Sequence, residues 1–342
     1  MPQQRSDTLE TLFDALPDAV FLLSGGSGLL YANKAAQQVF PLAREKVLAL
    51  PAVVSALAQL AQRPEPVNME IQLPLQVPHH YSFTAIQLGA GAGEQLRIAL
   101  IFHDVTELKR SIQLREDFVT NVSHELKTPL TSLLGFIETM KSHPAADVET
   151  RTRFLSIMEA QATRMKNLVH DLLSLARIEF DEHTQPANPT DLLYVVQQAM
   201  ALLEAKAQEN NVQMRVEAPA NLRHVLGDMP QLMQMATNLI GNAISYTRPG
   251  TEVVAQLSEV DDGVKLEVLD QGAGIPPEHI PRVTERFYRV DPGRSRDSGG
   301  TGIGLAIVKH VVNRHRGELL ITSTVGQGSS FAVIIPCVKK VS

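Results

Sequence analysis

The chain has 342 residues, a formal net charge of −6, and 44% hydrophobic, 20% charged and 5% aromatic residues. That length suits about two to three domains, since one core rarely grows past ~250 residues, and the apolar share excludes an unfolded chain. With 31 Lys and Arg against 37 Asp and Glu and no long basic run, a nucleic-acid binder is excluded; the lone cysteine, Cys337, excludes an intrachain disulfide or a cysteine-based metal cluster and fits a reducing compartment.

Residues 1–17 carry no uninterrupted apolar stretch of the kind a signal peptide needs, and no run approaches the roughly 18 apolar residues of a spanning helix. The expectation is a soluble, cytoplasmic chain, with any membrane segment belonging to a longer parent. Residues 8–106 read as a small α+β unit. A short amphipathic helix with Leu9, Leu12, Phe13 and Leu16 leads to the apolar AVFLL and a Gly-rich turn at 25–28. The alternating runs MEIQL, closed by Pro74, and YSFTAIQL follow, and then the β-branched LRIALIFHDVT. Cys337 lies outside this unit, which excludes a cysteine-adduct flavin, and His79, His80 and His103 read as edge-strand or surface residues rather than haem ligands.

From 108 to 140 the period lengthens. Ile112, Val119, Leu126, Leu133 and Met140 stand seven apart, with Val122 and Phe136 on a second seam. After a Pro-containing break at 142–147, Met158, Met165 and Leu172 repeat the spacing beside Phe154, Leu168 and Leu175. The pattern predicts an antiparallel hairpin over 107–182 that buries its two seams by dimerising into a four-helix bundle. Residues 188–338 then alternate helices, near 190–209, 229–246 and 303–315, with strands near 212–217, 252–259, 263–270, 318–324 and 330–335. This is an α/β layer domain, interrupted at 272–301 by a stretch rich in Gly, Pro and Arg that is too long for a plain connector.

Four groups of residues carry chemistry. In SHELKTPL, 123–130, His124 lies two positions from both Val122 and Leu126 and so faces solvent, with Glu125 next to it and Thr128 one turn on. Pro129 costs about 3 kcal/mol in a helix interior, which argues against an ordinary surface histidine. In NLIGNAISYT, 238–247, Asn238 and Asn242 share a helix face, and a neutral amide can offer its oxygen to Mg²⁺ beside phosphates. In DQGAGIP, 270–276, Asp270 at a strand end can accept from an exocyclic amine, with Gly272 and Gly274 turning beneath it. In GGTGIGLAIVKH, 299–310, Gly300, Gly302 and Gly304 open an apolar helix and form an anion cradle. A dinucleotide fold would need a strand before these glycines and an acidic residue at ribose distance, and neither is present.

Together these residues resemble the sensor histidine kinases of two-component systems. SHELKTPL resembles the phosphoacceptor box, Asn238 and Asn242 the N box, Asp270, Gly272 and Gly274 the G1 box, ERFYRVD at 285–291 the F box, and Gly300, Gly302 and Gly304 the G2 box; VGQGSSF at 325–331 resembles the G3 element. The N-terminal unit looks like a PAS domain ending in D-V-T-E at 104–107. The stretch from Glu278 to His315, with Thr284 where most members carry Phe, is most similar to the phosphate-regulon sensor kinases. Ser245 departs from the lysine that many members have in the N box, which leaves Lys309 or an arginine of the 272–301 stretch to supply that charge.

The resemblance implies a multidomain α+β protein with a PAS-like domain at 8–106, a dimerising helical hairpin at 107–182, and an α/β sandwich of the GHKL (Bergerat) type at 188–338. It implies that Mg²⁺ and ATP bind at Asn238, Asn242, Tyr246, Asp270, Gly272, Gly274, Gly300, Thr301, Gly302, Gly304, Leu305 and Lys309, with Asn242 on the metal. It further implies that His124 takes the γ-phosphoryl group, Glu125 bonds its other ring nitrogen, Arg289 clamps the γ-phosphate, and a receiver aspartate of a response regulator is the next acceptor. Thr128 then serves the reverse, phosphatase reaction. A homodimer without nucleic acid is expected, and the resemblance implies an inner-membrane anchor or phosphate-transport partner for a longer parent. Two rivals stand beside this: another ATPase of the same fold, which the His124 box disfavours, and a non-enzymatic scaffold, which the intact Asn242, Asp270 and glycines disfavour.

Overall fold

The computed structural model describes residues 11–24, 28–40, 47–73, 78–88, 97–143, 147–182, 184–290 and 301–337. Two compact units divide between Asp117 and Phe118. The first contains β1 (Ala19–Ser24), β2 (Leu29–Ala32), α1 (Lys34–Val39), α2 (Pro51–Gln62), β3 (Val67–Leu73), β4 (His79–Leu88) and β5 (Arg97–Asp104). Its strands form an antiparallel sheet in the order β2-β1-β5-β4-β3. Alternation along β4 buries Tyr81, Phe83 and Ala85; the Tyr81 ring meets Phe40 and Phe102, and the Phe83 ring meets Phe102. Phe21 lies edge-on to Phe102 at 5.8 Å and Phe83 lies tilted against it at 4.8 Å, geometries that add to the burial of each ring.

The sequence reading found neither β2 nor α2. Pro51 starts α2 at its first turn, where a missing N–H costs nothing, and Val53, Ala56 and Leu60 form its buried stripe. His79 and His103 are partly exposed and bonded to Asp104 at 3.0 Å and Asp18 at 2.6 Å. The 25–27 part of the Gly-rich turn and Pro74 lie outside the described residues.

The helix α3 (Thr106–Ser142) begins within the first unit, where Lys109 pairs with Glu70 at 2.7 Å and His80 N–H donates to the Thr106 hydroxyl at 2.9 Å. It continues unbroken through Pro129. α4 (Val148–Asp181) is capped by Asp147, which accepts from Thr150 N–H, and runs antiparallel to α3: Phe136 meets Phe154 at 5.2 Å and Glu125 meets Arg164 at 2.8 Å.

Downstream come β6 (Pro189–Thr190), α5 (Leu192–Glu209), β7 (Gln213–Glu217), β8 (Val225–Leu226), α6 (Met229–Tyr246), β9 (Glu252–Val260), β10 (Gly263–Leu269), α7 (Gly304–Arg314), β11 (Glu318–Thr324) and β12 (Gly328–Pro336). The order β11-β12-β10-β9-β7 is antiparallel except where β7 runs parallel to β9. Val253, Ala255 and Leu257 of β9 and Val264, Leu266 and Val268 of β10 share one core with Leu232, Met235, Leu239 and Ile240 of α6 and Ile307, Val308 and Val311 of α7. This is a two-layer α/β sandwich. Leu168, Leu175 and Ile178 of α4 join that core, so part of the α4 repeat covers α7. By contrast Ile112, Val119, Leu130, Leu134 and Ile137 of α3 remain 40–59% exposed. No helix among the described residues is long and apolar enough to cross a membrane.

Candidate functional site

The helix α6 is the floor of the candidate nucleotide site, and its residues Asn238, Asn242 and Tyr246 repeat at i, i+4 and i+8 along about 12 Å of axis at 1.5 Å per residue. At one end the Asn238 amide donates to the Gly304 carbonyl at 3.3 Å. At the other, Gly272 sits against the backbone carbonyl of Tyr246, where any Cβ would collide, and Gln271 N–H donates to Thr247 at 3.1 Å. Asn242 lies between them. It is half-buried and its side chain makes no hydrogen bond among the described residues. Its oxygen is therefore available to a hard cation, and no group of three His, Cys, Asp or Glu among the described residues offers another site.

Asp270 ends β10 with one oxygen occupied. Oδ1 accepts Gly272 N–H at 2.8 Å and Ser329 N–H at 3.2 Å, while Oδ2 has no hydrogen bond among the described residues. Burial pushes this carboxyl above its ordinary pKa, against the lowering by those two N–H groups. A half-buried carboxylate oxygen with no partner is suited to an amine donor. Tyr246, 50% exposed, is not a core tyrosine and lies at this same end.

At the phosphate end, α7 begins without a side-chain cap, so its first N–H groups and dipole point at whatever anion lies there. Gly302 has φ +72°, and a Cβ on it would stand 2.9 Å from the Phe287 Cα. Phe287 itself has φ +63° and donates its N–H to the Gly302 carbonyl at 2.8 Å, which locks the F-box turn onto the G2 turn. Gly302→Ala should therefore lower both thermal stability and nucleotide affinity, the strain alone being about 1–3 kcal/mol; melting and nucleotide titration of the same variant check this. Leu305 packs its side chain on the core, leaving only its backbone amide for a ligand. Lys309 is exposed on α7 with no ion pair among the described residues. Gly300 and residues 291–299 lie outside the described residues. The Ser245 hydroxyl donates to the Gly241 carbonyl at 2.8 Å, and half-buried Lys206 donates to the same carbonyl at 3.0 Å, so Ser245 does not stand in for a phosphate-binding lysine.

His124 is exposed on α3. Thr128 donates its hydroxyl to the His124 carbonyl at 3.2 Å. The Glu125 carboxylate does not bond the His124 ring. Its Oε2 accepts instead from Arg164 at 2.8 Å and from Arg289 at 3.5 Å. Consecutive helix positions point about 100° apart and do not face each other, which is why the ring and the carboxylate diverge. Arg289, with 9% of its side chain exposed, thus brings the FYR element to the residue after His124.

Other contacts between the hairpin and the nucleotide layer had no signal in the sequence. The Thr301 hydroxyl donates to Asp171 of α4 at 2.9 Å, and burial raises the pKa of that carboxyl. Phe118 meets Phe287 with ring centroids 6.0 Å apart, Arg286 pairs with Glu179, and His310 sits between Glu179 at 3.2 Å and Glu182 at 3.0 Å. Such partly exposed ion pairs contribute only about 0–1 kcal/mol each. The apolar burial at Leu168, Leu175 and Ile178 therefore dominates this contact.

Residues 227–339 match the family of histidine kinase-, DNA gyrase B- and HSP90-like ATPases, residues 114–181 the His Kinase A phospho-acceptor domain, and residues 13–110 the PAS fold. These three together define an ATP-dependent protein-histidine kinase with a sensor domain. The chain is 35% identical over 328 residues to the phosphate regulon sensor protein PhoR of Pseudomonas aeruginosa, covering 95% of this chain and 73% of that protein. It is 30% identical over 323 residues to PhoR of Haemophilus influenzae, covering 94% and 74%. Against the sensor-like histidine kinase SenX3 of Mycobacterium tuberculosis it is 38% identical over 244 residues, 71% of this chain and 59% of that one. A crystal structure of histidine kinase ThkA with response regulator protein TrrA shares the fold at TM-score 0.53 and 22% identity, covering 97% of this chain and 99% of that chain. The chain belongs to the sensor histidine kinases of the phosphate-regulon (PhoR) type.

Proposed function

We propose that this kinase phosphorylates its own His124 from Mg·ATP and passes the phosphoryl group to a receiver aspartate of a response regulator in phosphate-dependent signalling. The observation that carries this reading is the contact of Arg289 with Glu125 at 3.5 Å: it sets the nucleotide layer's arginine beside the one exposed histidine box. Adenine is read at Asp270 Oδ2 beside Tyr246, and the triphosphate runs along α6 toward the N–H groups of Gly302, Gly304 and Leu305. A magnesium ion held by Asn242 and the phosphates would offset the negative charge of phosphoryl transfer.

One ring nitrogen of His124 attacks the γ-phosphorus, so that the N–P bond forms as the P–O bond to ADP breaks. In this structure Glu125 bonds Arg164 and Arg289 and not the ring; for the transfer its carboxylate would turn onto the proton of the other ring nitrogen and stabilise the charge developing there. The γ-phosphate competes with Glu125 for Arg289 and draws the guanidinium onto itself. The exposed apolar face of α3 at Ile112, Val119, Leu134 and Ile137 supports burial against a second copy. A regulator partner is supported by the ThkA complex, and the phosphate signal by the PhoR relatives. Phosphotransfer from the labelled full chain to a panel of receiver domains tests the reading: a phosphate-regulon regulator should be labelled fastest, and uniformly slow transfer to all would contradict it.

Thr128 serves dephosphorylation of the regulator, its hydroxyl lying one turn from His124. Orienting one water is worth about 10²-fold in a positioned site. Thr128→Ala should therefore keep autophosphorylation near wild type and leave the phosphorylated regulator long-lived. Helix propensity favours Ala, and a matched fall of both activities would assign Thr128 a local structural role instead.

A further inference from the structure

Arg164 and Arg289 reach the same oxygen of Glu125 from two different elements, Arg164 from α4 and Arg289 from the segment after the Ile280–Arg282 turn. Both bond Oε2, and Oε1 has no hydrogen bond among the described residues. Arg164 is the nearer, at 2.8 Å against 3.5 Å, has 17% of its side chain exposed, and has no other partner among the described residues. His124 and Glu125 diverge on the helix and the carboxylate does not bond the ring in this arrangement, so it reaches the ring only by a further turn; left alone it samples several staggered rotamers, and an anchor outside α3 restricts that search. A charge-assisted bond from an arginine on the facing helix is such an anchor.

We propose that Arg164 is a positioning residue for autophosphorylation. It anchors Glu125 by Oε2, leaves Oε1 to take the N–H of the His124 ring, and keeps the carboxylate in place when the γ-phosphate draws Arg289 away. The shared oxygen explains why the exchange is possible at all: Arg289 can leave without stripping Glu125 of its counter-charge. This inference rests on the reading of His124 and Glu125 given above.

The test is a double-mutant cycle in the full chain, following the initial rate of acid-labile labelling at saturating Mg·ATP, together with affinity for a non-hydrolysable ATP analogue and the thermal midpoint. Arg164→Met should slow labelling about 10- to 100-fold, the range for misplacing an acid–base group, with analogue affinity and midpoint unchanged. Arg164→Lys, which restores the cation, should recover most of the rate. Glu125→Gln should be slow to a similar degree, and the double variant should be no slower than Glu125→Gln alone, because Arg164 acts through Glu125. Where Met unsettles the hairpin, Arg164→Gln takes its place in the same cycle. Wild-type labelling by Glu125→Gln would overturn the role given to Glu125 itself. Slow Glu125→Gln with unimpaired Arg164→Met, or losses that multiply in the double variant, would overturn the role of Arg164 alone.

Discussion

His124→Gln should abolish ATP-dependent, acid-labile labelling while leaving nucleotide affinity within about two-fold of wild type, the range of exposed substitutions away from a binding site. The exposed His124 ring makes no hydrogen bond among the described residues, and Gln suits the helix well, so the hairpin keeps its packing. The proposed nucleotide site lies on α6, β10 and α7, to which this ring makes no hydrogen bond among the described residues. Labelling and analogue binding, measured on one preparation, separate loss of the acceptor from loss of the donor site.

The second large effect falls on nucleotide binding. Asp270→Ala removes the oxygen with no partner and also the anchor of the Gly272 and Ser329 N–H groups. ATP affinity should drop about 10- to 100-fold, as for one hydrogen bond to a charged group, with or without Mg²⁺. Asp270→Asn separates the two causes: its amide keeps an acceptor for the turn but presents a donor where the adenine amine donates. It should fold like wild type and still lose ATP. Asn242→Ala should weaken only the Mg²⁺-dependent part of binding, because its side chain makes no internal hydrogen bond whose loss could disturb α6. Calorimetry with and without metal checks the pair, and equal losses in both variants irrespective of Mg²⁺ would reverse the assignments.

Much of the site was legible because its parts are local. Asn238 and Asn242 are one turn apart, the glycines of the G1 turn follow Asp270 directly, and Gly302 and Gly304 stand at the mouth of α7, so spacing alone groups each set. The longest strands and helices were legible for the same reason, each repeating its period several times, whereas twelve-residue α2, with a stripe of only Val53, Ala56 and Leu60, was not. The pair β6 and β8, two residues each, has no period to read. Contacts between distant segments were not legible either. Arg164 lies 39 residues from Glu125, and Thr301 lies 130 from Asp171. Nothing in a helical repeat says which exposed cation or acid will meet a residue of another element. The expectation that Glu125 bonds the neighbouring ring ignored the angle between adjacent helix positions: the structure places that carboxylate on two arginines, so a bond to the ring requires the side chain to turn.

The most direct measurement of the central claim is the position and linkage of the phosphate on the full chain after incubation with Mg·ATP. Trypsin releases EDFVTNVSHELK, residues 116–127, which holds Thr120, Ser123 and His124 in one peptide. Fragmentation at neutral to alkaline pH should place one phosphate on the His124 ring, lost on brief acid treatment and stable in base. Acid-stable phosphate on Thr120 or Ser123, or labelling confined to other peptides, would contradict it.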